Sequence, residues 1–534
     1  MGKVEVRPLT RVEHHCELLL LEENGVVVGR NIERDGKLNH FDPEGRYPKY
    51  VVTDLRGIQE IAKGKEPEDV PKLVSRVCGP CSLAHCLASV QAVEDAYDTV
   101  LPTTAWKVRR FLCAIHTIQD HLLWSLLISR DFLPDTVVDD LYDQFVKYHG
   151  DAQALVAVFT GKPVHPASVC VGGYTGDVEK LSSLYSTVRS RLESMQSFLE
   201  SVIPTFWKYL SAYLPDDVGD RPAHMISSGT PFYSGLTSGY VHPYLATSGG
   251  VLIADTKDQG SVERARLVPF YHDRVGKIKL ARGSNLNERC YSYSEVGYYE
   301  WNGTKYACEA GPLARLAVAY KAGDENVRWF LDSWSEKLDV EVWGLLKPCA
   351  RNRNMARILE ALLLTRLALH WIDDLPTTGS TYKDPSRRSG CFGTGVIEAP
   401  RGTLIHKVSI GSDGKVVGYE IITPTNLNHA PIEESMVGER VYIDEKLAAV
   451  KRQVSESERL LLGDACRAAR SFNPCNSCAS HTIVKVVKKR GGRTPGYRYI
   501  RPALYKEEAC VVRYMLPCSY LLFLIGAAFS YIVF

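Results

Sequence analysis

Two short stretches, "RVCGPCSLAH" at residues 76–85 and "NPCNSCASH" at 473–481, each place two cysteines two residues apart with a histidine shortly after. At this spacing a cysteine pair can clip a metal through two thiolates or act as a redox couple. With 15 cysteines in 534 residues, chance supplies roughly 0.4 such pairs per chain, so one alone carries little weight. Two of them, Cys78/Cys81 and Cys475/Cys478, can make a four-thiolate site. Soft thiolates suit zinc, an iron–sulfur cluster, or nickel with iron. A zinc ribbon normally gathers its pairs within a few tens of residues, whereas these stand nearly 400 apart. Closing so long a loop costs entropy that a small structural clip need not incur. On spacing alone, zinc, a catalytic cluster and unrelated cysteines all stay open.

The elements that would carry these residues are mostly helical. After Cys81, "SLAHCLASVQAVEDAYD" has helical periodicity, which sets the first pair at a helix N-terminus, where partial positive charge favours thiolate over thiol. Residues 455–471, "SESERLLLGDACRAARS", predict one helix leading into the second pair. Residues 103–130 put Val108, Phe111, Ile115, Ile118, Leu122 and Leu126 at helical spacing, and Leu123 and Trp124 extend the apolar surface nearly all round. His116 and Asp120, four apart, share the remaining polar stripe, which needs partners if buried and is otherwise a solvated face. Hairpins are predicted around Asn24-Gly25 in "ELLLLEENGVVVGR" and around Gly411 to Gly414 in "LIHKVSIGSDGKVVGYEII". The Gly-, Ser- and Tyr-rich section from 215 to 310 reads as loop and suggests no chemistry. The expected fold class is α+β, a mainly helical buried bundle with peripheral β-hairpins.

Composition narrows the classes. Hydrophobic residues make up 45%, enough for a sizeable core. Lys plus Arg (64) nearly balances Asp plus Glu (62), so no overall field draws in nucleic acid. The opening "MGKVEVRPLTRVEHH" has no apolar signal region, and scattered cysteines suit a reducing compartment, so a cytoplasmic location is expected. At the other end, residues 514–534 are 21 uncharged, mostly apolar residues, long enough for a membrane span, with Arg513 and "KVVKKRGGR" as a cytoplasmic flank. Pro517 argues for a buried terminal helix instead.

Together the motifs resemble the nickel-iron hydrogenase large (alpha) subunit. Arg-x-Cys-Gly-x-Cys with His85 four residues later, and Pro-Cys-x-x-Cys-x-x-His ending at His481, match its two signatures. "RPLTRVEHH" at 7–15, "IQDH" at 118–121 and "GVIEAPRGTLIHKV" at 395–408 match further, and "VHPASVCVGG" at 164–173 more weakly. Around "RVCGPCSLAHCLASVQAVEDAYD" the chain is most similar to cytoplasmic archaeal enzymes that reduce the deazaflavin coenzyme F-420, or their close relatives. The resemblance implies reversible heterolytic splitting of dihydrogen in a large-subunit fold. Nickel would be held by Cys78, Cys81, Cys475 and Cys478, with Cys81 and Cys478 also bridging to iron that carries carbon monoxide and cyanide. Cys475 would take the proton and pass it to Glu13; Arg401 would stand at the open coordination position, paired with Asp120. His85 would donate to a bridging sulfur. A remote magnesium or second iron would involve Gln59, Ile421 and His481.

Three positions depart from the family's pattern. Asn473 stands where aspartate is usual, Gln59 where glutamate binds the remote metal, and His14 where glycine is usual. Glu60 adjoins Gln59, but on a helix it points about 100° away. These departures open a second reading, a weakly active or non-catalytic relative. A scaffold similar to the related quinone-module subunit would lack the cysteines; a structural zinc protein would leave "EAPRG" and "RVEHH" unexplained. The resemblance also implies cleavage between His481 and Thr482 by a nickel-dependent maturation peptidase, dividing the chain into a catalytic domain (1–481) and an extension (482–534). A retained tail would make the protein membrane-associated. The remaining cysteines are scattered and suggest no second cluster, so an iron–sulfur small subunit is expected to take the electrons, with a flavin-containing subunit serving coenzyme F-420.

Overall fold

The computed structural model describes residues 2–9, 16–29, 48–52, 57–220, 224–228, 239–241, 297–301 and 304–475. Glu13, His14, Cys478, His481, Thr482 and the 514–534 segment lie outside the described residues. The strands are β1 (Gly2–Leu9), β2 (Cys16–Glu23), β3 (Val26–Val28), β4 (Lys49–Val52), β5 (Val169–Cys170), β6 (Gly173–Tyr174), β7 (His224–Ser227), β8 (Gly239–Val241), β9 (Tyr299–Trp301), β10 (Thr304–Tyr306), β11 (Cys308–Ala310), β12 (Cys391–Ala399), β13 (Gly402–Ile410) and β14 (Val416–Ile422). The helices are α1 (Ile58–Ala62), α2 (Val70–Val74), α3 (Ser82–Ala96), α4 (Thr103–Ile128), α5 (Asp135–Thr160), α6 (Val178–Ser182), α7 (Tyr185–Tyr213), α8 (Pro312–Ala322), α9 (Glu325–Leu338), α10 (Val342–Leu346), α11 (Ala350–Trp371), α12 (Pro424–Glu434), α13 (Glu445–Ala448), α14 (Glu456–Leu461) and α15 (Asp464–Ser471).

The body is helical, as the periodicity predicts. α4 packs on α5 and α11, and its residues Val108, Phe111, Ile115, Ile118 and Leu122 are fully buried. Its polar stripe is buried too: Arg109, His116 and Asp120 are each under 5% exposed. A helix this apolar satisfies the length criterion for a membrane span, yet here it is the core helix. Burial obliges its charged groups to pair. Arg109 forks onto Glu94 of α3 at 2.7 and 2.8 Å, and His121 meets Glu360 of α11 at 2.8 Å.

Both predicted hairpins form. β2 and β3 join antiparallel through Asn24 and Gly25, both at positive φ (57° and 79°), the conformation an Asn-Gly turn supplies most readily. β12, β13 and β14 form an antiparallel sheet in that order, with Gly411 to Gly414 turning the second hairpin. β12 lies against α3. At Gly395 a Cβ would come within 1.9 Å of the Ala88 carbonyl oxygen, and at Gly393 within 2.1 Å of that of Ala92. Strand backbone therefore rests directly on helix backbone, an approach that only glycine facing a small-residue helix surface permits.

One expectation is corrected. Residues 455–471 form two helices, α14 and α15, not one. Gly463 between them is extended (ψ 152°), and its position lies 2.0 Å, by Cβ, from the Val441 carbonyl oxygen. The close approach of that carbonyl leaves no room for a Cβ at the break, and periodicity alone does not reveal it. Within the 215–310 section, the described pieces include β7 and β11, which pair in parallel.

Candidate metal centre

Cys81 caps the N-terminus of α3, so the first cysteine pair sits where the helix begins. Its loop is held from three directions. The Ser82 amide bonds the Gly79 carbonyl (3.1 Å), and His116 of α4 donates to the Pro80 backbone. The third hold is His165 of the "VHPASVCVGG" stretch: its amide donates to Ser82 Oγ (3.1 Å) and its Nδ1 to the Ser75 carbonyl (3.0 Å). Cys475 arrives from the far end of the chain. α15 ends at Ser471, Asn473 takes positive φ (51°), and Pro474 prevents the helix from continuing. The Cys475 amide then donates to Thr425 Oγ1 at the start of α12 (2.9 Å), and Arg357 holds the Ser471 carbonyl (2.6 Å).

These contacts converge the sulfurs. Sγ of Cys78, Cys81 and Cys475 lie within 4.8 Å of one another, with Cys475 and Cys78 3.3 Å apart. All three are buried and none is in a disulfide. One metal about 2.3 Å from each sulfur needs sulfur–sulfur edges of about 3.8 Å, so the cluster fits a soft metal ion without rearrangement of the backbone. The charge argument agrees. If the three ionise to bind a metal, the thiolates, out of water, require more positive charge than one guanidinium supplies, and the metal would provide it.

That guanidinium is Arg401, in the turn between β12 and β13. Its Nη1 donates to Cys81 Sγ (2.8 Å), and Nη2 stands 2.8 Å from Asp120 Oδ1. Burial alone would lower its pKa, but Asp120, Cys81, Cys475 and Cys78 outweigh that and hold it well above the usual arginine value. The turn itself is fixed by Arg315 of α8, which donates to the Ala399 (2.7 Å) and Pro400 (3.2 Å) carbonyls and to Glu398 (3.0 Å). Glu398 also accepts from the Ser228 amide and from the Ser227, Ser228 and Thr403 hydroxyls. Asn473 Nδ2 donates to the other Asp120 oxygen (3.1 Å). The amide at this departure from the family pattern therefore orients the carboxylate that Arg401 needs. Arg401 Nε and Asn473 Oδ1 are buried without a hydrogen bond among the described residues.

His85 also borders the site; burial lowers its pKa to about 4, against the raising field of Cys475, so it is neutral near pH 7. Its Nδ1 pairs with His406 Nε2 at 3.0 Å. Gln59, half-buried on α1, and Ile421, fully buried on β14, belong to two elements that pack together. Glu60 instead pairs with Lys63 at 2.8 Å on the outside of α1. The other buried cysteines behave as small apolar groups: burial raises Cys86 and Cys113 to about 12 and Cys349 to about 11.

Sequence reasoning missed Arg315, Glu398, Thr425 and His406. For Arg315 no local signal exists. Glu398 and His406 lie inside "GVIEAPRGTLIHKV", and Thr425 is the last residue of the Thr-Pro-Thr start of α12, so their positions were visible while their partners were not.

The family model for nickel-dependent hydrogenase matches residues 56–133 and 135–481. Among curated proteins, the alpha subunit of the coenzyme F420 hydrogenase of Methanothermobacter thermautotrophicus is 24% identical over 496 residues, covering 90% of this chain and 95% of that one. A subunit of the F420-non-reducing hydrogenase of Methanocaldococcus jannaschii is 26% identical, over 82% of this chain and 98% of its own length. The periplasmic NiFeSe hydrogenase large subunit of Desulfomicrobium baculatum is 26% identical, over 90% and 95%. In structure, the reduced, active NiFeSe hydrogenase from Desulfomicrobium baculatum superposes with a TM-score of 0.69 at 21% identity, covering 90% of this chain and all of that one.

Proposed function

The chain belongs to the nickel-dependent hydrogenase family, as a large catalytic subunit, and from that premise we propose that it splits dihydrogen heterolytically and reversibly at a nickel-iron centre. Cys78, Cys81 and Cys475, with Cys478 as a fourth ligand, would hold the nickel, and Cys81 and Cys478 would also serve an iron bearing carbon monoxide and cyanide. When bound, the metal pair supplies the Lewis acidity and the electron sink. The protein's own part is to place groups around that pair. Arg401 keeps a permanent cation beside Cys81, Asp120 and Asn473 hold it there, and the buried walls exclude water so that its field acts undiluted. Cys475 takes the proton, and Glu13 relays it outward. The observation that carries this reading is the Arg401 guanidinium wedged between Cys81 and Asp120. A structural zinc clip needs no buried carboxylate and Asn473 amide to aim that cation, and here both are present.

An iron–sulfur small subunit takes the electrons, and a flavin-containing subunit passes them to coenzyme F-420. The similarity to F420-hydrogenase alpha subunits supports this acceptor; F420-non-reducing subunits match at comparable identity, so an assay of coenzyme F-420 reduction decides between the two. A remote magnesium or second iron binds near Gln59, Ile421 and His481. The protein works in the cytoplasm, after a peptidase cuts between His481 and Thr482; a retained tail would hold it at the membrane.

The test is infrared spectroscopy of the protein purified with its partner from a maturation-competent host. Sharp carbon monoxide and cyanide stretching bands are expected, with an intact mass ending at His481. A single zinc and no such bands in nickel-replete material would overturn the hydrogenase mechanism, and a full-length mass in nickel-loaded protein would overturn the cleavage.

A further inference from the structure

We propose that Ser89, Tyr419 and His406 set the tautomer of His85, and so decide whether this histidine shows the thiolate site a hydrogen-bond donor or an acceptor. The inference rests on the reading of that site given above only for its purpose, since the hydrogen bonds involved are the protein's own.

The four groups form one chain between α3 and the β13–β14 pair. Tyr419 Oη donates to Ser89 Oγ at 2.7 Å. A phenol has one proton, so the 2.7 Å contact between Tyr419 Oη and His406 Nδ1 is donated by the imidazole. His406 is fully buried, and a neutral imidazole has one N–H, so its Nε2 is bare. The 3.0 Å contact between His406 Nε2 and His85 Nδ1 is therefore donated by His85. With its proton on Nδ1, His85 carries a lone pair on Nε2. The donor role that the sequence suggests for His85 requires every member to reverse. Ser89 would donate to Tyr419, Tyr419 to His406 Nδ1, and His406 Nε2 to His85 Nδ1.

Both arrangements hold the same number of protons, one on each of the four groups, and both are neutral. All four residues are at most 6% exposed, which keeps water from breaking the chain into independent rotors. Ser89 and His85 sit four residues apart on α3, so the far end of the chain returns to the helix that carries Cys81. Ser89 and Tyr419 are positioning residues acting through His406.

The experiment is nitrogen-15 NMR of the purified holoprotein with labelled histidine, in a diamagnetic state, reading which ring nitrogen bears the proton; His406→Gln and His85→Gln assign the signals. Wild type is expected to show Nδ1–H at both His85 and His406. Ser89→Ala removes Tyr419's acceptor, so the phenol should turn to His406 and shift both imidazoles to Nε2–H. Ser89→Thr keeps a hydroxyl and should restore the wild-type pattern. A His85 tautomer that is unchanged in Ser89→Ala, or Nε2–H already in wild type, overturns the proposal. Should a glutamine variant fail to fold, the paired shift of two histidines on Ser89→Ala still identifies them. Missing carbon monoxide and cyanide bands would count against the hydrogenase mechanism without touching this result.

Discussion

Asn473 shows how one substituted group can be absorbed by its surroundings. An aspartate there would face the Asp120 carboxylate across the 3.1 Å now bridged by an N–H donor. Two carboxylates so close cannot both ionise in a buried site; one retains its proton and Arg401 loses a clean partner. Asn473→Asp should therefore introduce a new titration into the pH profile of hydrogen oxidation. It should also lower thermal stability as pH rises above about 4, because a carboxyl kept protonated in the folded protein ionises freely once unfolded, although Asn and Asp share tolerance of positive φ. Asp120→Asn differs, since it strands Arg401 and should destabilise the fold by about 3–5 kcal/mol. Steady-state assays across pH, with calorimetry on both variants, check the pair. Equal effects from the two would mean that Asn473 does not orient Asp120.

The crossing of α3 and β12 fixes the distance between the first cysteine pair and Arg401. α3 begins at Cys81's loop, β12 ends two residues before Arg401, and Gly393 and Gly395 let the two backbones touch. Adding a methyl group at Gly395 forces strand and helix apart, because the atom met is a backbone carbonyl that cannot rotate away. Gly395→Ala should cost on the order of 1–3 kcal/mol from overpacking. It should also reduce the metal content of purified protein, as Arg401 retreats from Cys81. Thermal denaturation and metal analysis on the variant test this; full metal occupancy with a lowered melting temperature would separate the crossing from the site.

Among the described residues, ion pairs and imidazoles lie buried within a predominantly helical, apolar interior, and this ties stability to pH. His149 on α5 is the clearest case outside the thiolate site. Its burial lowers the pKa from 6.5 to about 4, with Asp120 opposing weakly, so it is neutral when folded. Unfolded, it takes up a proton below pH 6.5. The sign follows: its contribution is fully present above pH 6.5 and is lost as pH falls from there toward 4, by at most about 3 kcal/mol. His149→Gln should shift the midpoint of acid unfolding downward, measured by circular dichroism between pH 4 and 7, with little change at pH 8. An unmoved midpoint would assign the acid sensitivity to other groups.

The sequence alone marked Cys78 and Cys81 as a candidate pair, because two cysteines two residues apart at a helix start are a local arrangement; that Cys475 joins them from 397 residues away was decided by the tertiary structure. It also determined the helix α4 and the two hairpins, where period and turn chemistry act within a few residues, whereas the burial of the polar stripe on α4 came only with the packing around it. Only the tertiary structure decided which groups serve those ligands. Arg401 meets Cys81 across 320 residues of chain, and Asn473 meets Asp120 across 353. The choice of Arg315 to hold the Ala399–Pro400 carbonyls, and of Thr425 to hold Cys475, leaves no periodic trace. Such partners are selected by the close passage of separate elements, as at Gly395 or Gly463, where the atom that is absent from a side chain determines the geometry. A buried charge demands a partner, and the residue that answers is the one the packing brings within hydrogen-bond reach.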